Sequence, residues 1–564
     1  MADDDRQDKL TRRGLLRTGA VLGAAAAATG TAGAAAADPG TSRGDHGGRH
    51  PERLVLTNGR IHTMDAGGRV VSAVAIEDGQ FVDVGRATAA RAARVVNLRG
   101  RTVVPGIIDN HNHIVLMGNR PGFHTPLENA YSIADVQATY ARRARDLPPG
   151  AWITTIGGFH RNHLVPVDET PRLPTLAELD AATQDHPVYI SEAFSGPSAT
   201  NSLGKAFFES RGIPVGPDGS IAGGFGDSPT GRATLALRQT LLTNEGRERG
   251  VRDAIAYGLS LGVTTHLDEG AFQATGTSSD GAAHEDNYTM HLPFLSVHAD
   301  GDLRARVRIN FLHMESDPAT PELVQRLRNQ FPFFGDDMLR TGGIGEFIAQ
   351  GTGSTFAAAA LRVAEAGWRA EVHSLTATDY QAEIQAFEAA NAQFPIADLR
   401  WVVAHVPFIN EEYVGRLRAL GGGLSLTGWR YLAGSPTSNG PPFRMILDSG
   451  IHAGMSSDGM QIAPMNPWLH MYYATTGRNA RGVLINDGQQ ITRAEVLRLY
   501  TRDNGWFLRE EDRLGSIEVG KLADLVVLNS DYFTVPDEQL KHIRSVLTVV
   551  GGEVVHDPTG LARH

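Results

Sequence analysis

"VVPGIIDNHNHIVLMG" (Val103–Gly118) runs from apolar, strand-like residues into a His-Asn-His. On an extended strand, residues two apart project to the same side. His111 and His113 therefore point together, with Asn110 and Asn112 facing away. Two imidazoles placed this way at a strand's carboxyl end can both reach one ion. The His-x-His pattern is short and common, so the rest of the chain decides its meaning.

Composition limits what the other half is made of. With 564 residues, 41% hydrophobic and 20% charged, the chain has the make-up of a soluble globular protein. It is too long for one small core and suits a large barrel with an accessory domain. A net charge of -11, with Lys and Arg scattered, argues against nucleic acid or an anionic membrane as the main partner. Cysteine is absent, which excludes disulfides and thiolate metal sites. Any metal is held by His and carboxylates, and 21 histidines are available.

The N-terminus reads as an address. In "TRRGLLRTGAVLGAAAAATGTAGAAAADPG", Arg12 and Arg13 precede an Ala- and Gly-rich run that ends in small residues suited to cleavage near Ala37. That is a signal-peptide pattern over residues 1–37, and Thr-Arg-Arg-x-Leu-Leu resembles the twin-arginine type. A membrane anchor fits less well: the run is Gly-interrupted and mildly hydrophobic, and no other 18-residue apolar run occurs. Export through the twin-arginine pathway, to the periplasm or the medium, is the expectation. Residues 38–52 read as a disordered linker.

From Arg53, "RLVLTNGRIHTMD" and "VVSAVAIEDGQFVDVG" alternate apolar and polar residues around Asn-Gly and Asp-Gly, which are hairpin signals. "ADLVVLNSD" and "IRSVLTVVGGEVVHD" give similar signals at the far end. The two ends, 53–103 and 511–564, are expected to pair into one small β-sandwich domain. The middle, 104–510, has another rhythm. Short apolar runs recur, with helix-like stretches such as "STFAAAALRVAEAG" between them. After "GIIDNHNH" they are "GVTTHLDEG" (262–270), "RARVRINFLH" (304–313), "GGIGEFIAQG" (342–351), "RAEVHS" (369–374), "LRWVVAHV" (399–406), "GGLSLTGW" (422–429) and "IHAGMSSDG" (451–459). Eight strands with intervening helices are the requirement for an α/β fold of the (β/α)8 TIM-barrel type. Residues 119–250, between the first two strands, read as an insertion over the barrel mouth and a source of substrate selectivity.

Catalytic residues of such a barrel lie at the carboxyl ends of its strands. Strand one ends in His111 and His113, strand four carries Glu346, strand five ends in His373, strand six in His405 and strand eight in Asp458. Each has a bland alternative: a lone strand histidine is usually a satisfied polar residue, and Asp458 in "SSDG" suits a turn. Six metal-competent side chains at the correct ends of five strands are not readily produced by chance.

With those residues in place, the chain resembles the amidohydrolase superfamily, close to its amidohydrolase family 3 branch. "VVPGIIDNHNH" is similar to the strand-one signature, and "GVTTHLDEG", "WVVAHV" and "MSSDG" to later strand ends. "LGSIEVGKLADLVVLN" (514–529) is similar to the entry into the C-terminal β domain, and the likeness runs from about Arg53 to His556. The resemblance implies one metal held by His111, His113 and Asp458, a second held by His373 and His405, and a bridging acid at Glu346, where many relatives carry a carboxylated lysine. Other departures surround the substrate: Gln350-Gly351, "LTATDY" after His373, and Ser195-Gly196-Pro197. No relative's substrate is carried over for that reason.

A His and carboxylate set makes zinc the expected metal, one or two ions per chain. The expected reaction is hydrolysis of a C–N bond in a small-molecule amide, N-acyl or N-formyl amine or cyclic amide, by hydroxide formed from metal-activated water. Asp458 is expected to move the proton, and in a one-metal enzyme His405 orients the substrate carbonyl. Deamination of a heterocycle is the alternative within the superfamily, and an inactive binding protein the alternative outside enzymes. Trp429 and Arg430 in "TGWRYLAG" are candidates for contacting an aromatic or anionic substrate. Relatives are often dimers, so a homodimer is the expected assembly if there is one.

Overall fold

Eight parallel strands carry the middle of the chain in two sheets of four. β1 (Ile107–Asn112), β2 (Val263–Asp268), β3 (Arg306–Phe311) and β4 (Leu339–Ile344) form one sheet in sequence order. β5 (Glu371–Ser374), β6 (Val402–His405), β7 (Gly423–Thr427) and β8 (His452–Ser456) form the other. Every pairing within them is parallel. Parallel bridges from Ile344 to Ala370 and from Asn112 to Gly459 join the sheets at both seams. Each strand thus has a neighbour on either side, and the eight form a closed cycle. The computed structural model describes residues 53–86, 93–193, 195–224, 226–271, 287–460 and 462–563. The expected signal peptide, 1–37, and linker, 38–52, lie outside them.

All eight expected segments are strands because their β-branched and apolar runs are buried on both faces, as parallel sheets require. Strand four is displaced from its expected place: it covers Leu339–Ile344 and stops two residues before Glu346. Its glycines, poor strand formers by propensity, are demanded by close approach. A Cβ on Gly342 would lie 2.5 Å from Asn310 Oδ1, and one on Gly343 2.6 Å from the Arg369 carbonyl oxygen.

Both chain ends build the β layer. Strands Arg53–Thr57, Val74–Glu77, Gln80–Val84 and Ala93–Asn97 make a four-stranded sheet. A six-stranded sheet joins Thr102–Pro105, Arg60–His62 and Val70–Val71 from the N-terminal part to Leu525–Leu528, Ser545–Val550 and Glu553–His556 from the C-terminal part. Leu54, Ile76 and Phe81 of the first sheet share one apolar core with Val103, Leu525 and Val549 of the second. Asp78-Gly79 is a hairpin turn as expected, with positive φ at both residues and Glu77 paired to Gln80. Asn58-Gly59 is not a hairpin. The strand before it has both edges taken, by Val74–Glu77 and by Ala93–Asn97, so the chain passes on to the other sheet. Buried ion pairs tie this layer to the barrel strands: Arg306 grips both oxygens of Asp524 at 2.8 and 2.9 Å.

The insertion is more than a covering loop. Strands Phe123–His124, Ile153–Ile156, Val188–Ser191, Ser198–Thr200 and Ser220–Ile221 form a five-stranded sheet with apolar clusters of its own. It meets the segment that follows β8. Glu128 accepts hydrogen bonds from the backbone N–H of Met465 (2.6 Å) and Asn466 (2.9 Å) and from the Tyr257 hydroxyl (2.8 Å). Among the described residues no helix is long and apolar enough to cross a membrane.

Candidate metal centre

Five strand ends bring the six expected residues together around Glu346. Its Oε1 lies 3.3 Å from His113 Nε2, and its Oε2 lies 2.8 Å from His373 Nδ1, 3.1 Å from His405 Nε2 and 3.5 Å from His111 Nε2. Asp458 Oδ1 faces His113 Nε2 at 3.3 Å and His111 Nε2 at 4.0 Å, and its Oδ2 faces His405 Nδ1 at 4.0 Å. Neighbouring ring centroids stand 4.5 Å apart for His373 and His405 and 4.8 Å for His111 and His405. Five of the six side chains are buried; His373 is 29% exposed, so the cluster opens to solvent on the β5 side. Asn110 and Asn112 turn elsewhere as expected, to Ser425 and Asn504 and to His266.

Backbone and outer contacts hold this geometry. His405 (φ +69) and Asp458 (φ +55) sit in the left-handed region, an uncommon place for residues with a Cβ and one that clusters at functional sites. The Asp458 N–H donates to the His111 carbonyl at 2.9 Å. Asp109 accepts from the Ser457 N–H at 2.9 Å, anchoring the residue before Asp458. His113 Nδ1 faces the Gly270 carbonyl at 2.7 Å, and His405 Nδ1 the Thr427 hydroxyl at 3.2 Å.

The electrostatics call for positive charge at the centre. Burial opposes a charged imidazole, yet the Glu346 carboxylate facing Nε2 and the Glu371 hydrogen bond hold His111 well above its ordinary pKa. His113, against Asp458 and Glu346, is raised to about 10. Glu346 is held well below the carboxylate range despite burial, chiefly by the His373 charge. Burial and the neighbouring His373 push His405 down. Buried carboxylates need a cation, and a divalent ion fits the donors present. One ligand atom each from His111, Glu346 and His405 lies within 4.8 Å of the others, and the same holds for His111, His113 and Asp458. His111 Nε2 is buried with no hydrogen-bond partner.

Two acids beside the cluster were not among the expected residues: Glu371 opens β5 and Glu269 directly follows β2. Glu371 and Glu269 form a third such group with His111. The signal was present in "RAEVHS": Glu371 lies two residues before His373, on the same side of β5. At the end of β7, the Arg430 guanidinium lies 4.1 Å over the Trp429 ring and donates to Ser438 Oγ at 2.7 Å.

His163 and His313 lie outside the cluster, fully buried, with no hydrogen-bond partner for either ring nitrogen. Burial pushes both imidazoles down to about 3. Each is neutral when folded and charges on acid unfolding, so stability is lost as pH falls from about 6.5 toward 3. Guanidinium unfolding at pH 7 and pH 5 should show a smaller acid loss for the His163→Leu/His313→Leu pair than for wild type. The limit is about 1.4 kcal/mol per pH unit for each group, and an equal loss in both proteins would rule the effect out.

A family model described as the amidohydrolase family matches residues 94–556. The chain belongs to that family. It is 25% identical over 561 residues to the N-substituted formamide deformylase of Arthrobacter pascens, covering 90% of this chain and 99% of the relative. Its fold is similar to that of an uncharacterized metal-dependent hydrolase from Pyrococcus horikoshii OT3 (TM-score 0.58, 17% identity, 86% of this chain and 99% of that one). It is also similar to atrazine chlorohydrolase TrzN from Arthrobacter aurescens TC1 complexed with zinc (TM-score 0.52, 17% identity, 89% of this chain and 95% of that one).

Proposed function

We propose that this chain is an exported, metal-dependent amidohydrolase that cleaves the C–N bond of a small N-formyl or N-acyl amine. One observation carries the reading: four imidazoles converge on Glu346 and Asp458 at the carboxyl ends of a closed cycle of parallel strands. We read that cycle as a (β/α)8 barrel over 104–510 and the two sheets of the β layer as a sandwich over 53–103 and 511–564. His111, His113 and Asp458 would hold one ion and His373 and His405 a second, with the Glu346 carboxylate available to either. Zinc suits these donors. A bound divalent ion supplies a water with its pKa lowered from 15.7 to about 7 and polarises a carbonyl oxygen. The protein's own part is proton traffic and placement: Asp458 takes the proton from the attacking water and returns it to the leaving nitrogen. His405, held by Thr427, orients the substrate carbonyl if only one ion is bound.

The formamide-acting relative supports the N-formyl class, and the zinc in TrzN supports the choice of metal. The test is metal analysis of purified protein with assays on N-substituted formamides, N-acyl amino acids and simple amides, before and after chelation. Turnover that disappears with the metal and returns with zinc is expected. A metal-free protein indifferent to chelators overturns the reading. Ammonia released from a heterocycle replaces amide hydrolysis with deamination, and stoichiometric zinc without turnover on any panel member points to a binding protein. Export is tested by locating the chain in cell fractions with the Arg12 and Arg13 pair intact and replaced by lysines.

A further inference from the structure

Glu371 has no part in the proposed reaction, yet it is fully buried against the cluster. Its Oε1 lies 2.8 Å from His111 Nδ1, and its Oε2 accepts a hydrogen bond from the buried guanidinium of Arg369 at the entry to the same strand. We propose that Glu371, braced by Arg369, is a positioning residue that fixes the proton of His111 on Nδ1 and turns its Nε2 toward the metal.

A neutral imidazole carries one proton, and the nitrogen that ligates must be the other one. An ionised carboxylate only accepts, so facing Nδ1 it selects the tautomer with the proton there. With an ion bound, Nε2 is the nitrogen left without a proton, and it is the atom that faces Glu346 from 3.5 Å. Arg369 offsets the cost of a buried anion, and its hydrogen bond occupies the far oxygen, leaving the near one for His111. The companion histidine on the same strand end uses a neutral acceptor, the Gly270 carbonyl. Among the four histidines, His111 alone has, in the described contacts, a carboxylate within hydrogen-bond distance of the ring nitrogen turned away from Glu346. It also lies within reach of both Glu346 and Asp458 in the candidate ligand groups, so its orientation bears on the ion those residues would hold.

The inference rests on the metal reading above, and the experiment separates the two. Zinc-loaded wild type, Glu371→Gln and the double variant Arg369→Met/Glu371→Leu are mixed with excess chromophoric chelator, and zinc release is timed. Metal-free melting temperatures are recorded alongside. The isosteric Glu371→Gln keeps an acceptor but not its charge; the double variant removes the pair without stranding a charge in the core. Faster release by about 10–100-fold in both variants, with metal-free melting within a few degrees of wild type, is the expected result. Release at the wild-type rate from either folded variant overturns the positioning role. Zinc binding absent from wild type itself overturns the metal reading instead.

Discussion

Asp458→Asn should lower kcat by about 10²–10⁴-fold, the usual weight of a positioned proton carrier, while much of the metal stays bound. The asparagine has nearly the same shape and keeps one carboxamide oxygen toward His113, where Asp458 Oδ1 now stands at 3.3 Å. What it loses is the ability to take a proton. Burial works against the charge on Asp458, but the neighbouring His405 imidazole and the His113 hydrogen bond outweigh it and hold the carboxyl below its ordinary range. The wild-type group is therefore ionised and ready to accept. Its backbone is held independently of the side chain, by its own N–H to the His111 carbonyl and by the Asp109 anchor on Ser457. The variant should fold, bind metal and fail at turnover. Steady-state rates with metal content on the same sample decide it, and a rate near wild type removes Asp458 from proton transfer.

Glu346→Gln should act on the metal itself. The carboxylate touches four imidazoles within 3.5 Å, and no other described acid reaches His373 or His405 as closely. Its neutral amide offers one oxygen where two are in use and brings no charge to offset an ion. Metal content should fall by at least one ion per chain, with activity reduced by at least about 10²-fold if both ions serve the reaction. Elemental analysis at matched protein concentration checks this. Full metal content in the variant would show that Glu346 stands beside the ions rather than between them.

Strand order and the positions of the six clustered side chains are legible because each rests on a local signal. The β-branched runs mark β1, β2 and β6, and His111 and His113 share a side by strand alternation alone. Glu346 was found although its strand was misplaced, since the glycines that obscure β4 reflect contacts with Asn310 and Arg369 that only the tertiary structure contains. Glu371 was readable in principle, two residues before His373, but its partner His111 is 260 residues away and no spacing rule links them. The sheet inside the insertion was hidden for another reason: its strands are two to four residues long and their pairing is set by the lobe's own core. Asn58-Gly59 misled because a turn sequence specifies a bend, and the free edge needed for a hairpin is a property of the sheet.

The seam between Asn112 and Gly459 makes the centre a record of the chain's completion. The first donors are synthesised near residue 111 and the last at 458, and they meet only when the final strand closes against the first. A nascent chain that stops before β8 lacks Asp458 and leaves one side of the strand carrying His111 and His113 uncovered. Tight ion capture thus waits until the eighth strand has been made and has closed against the first, with the strands between already in place.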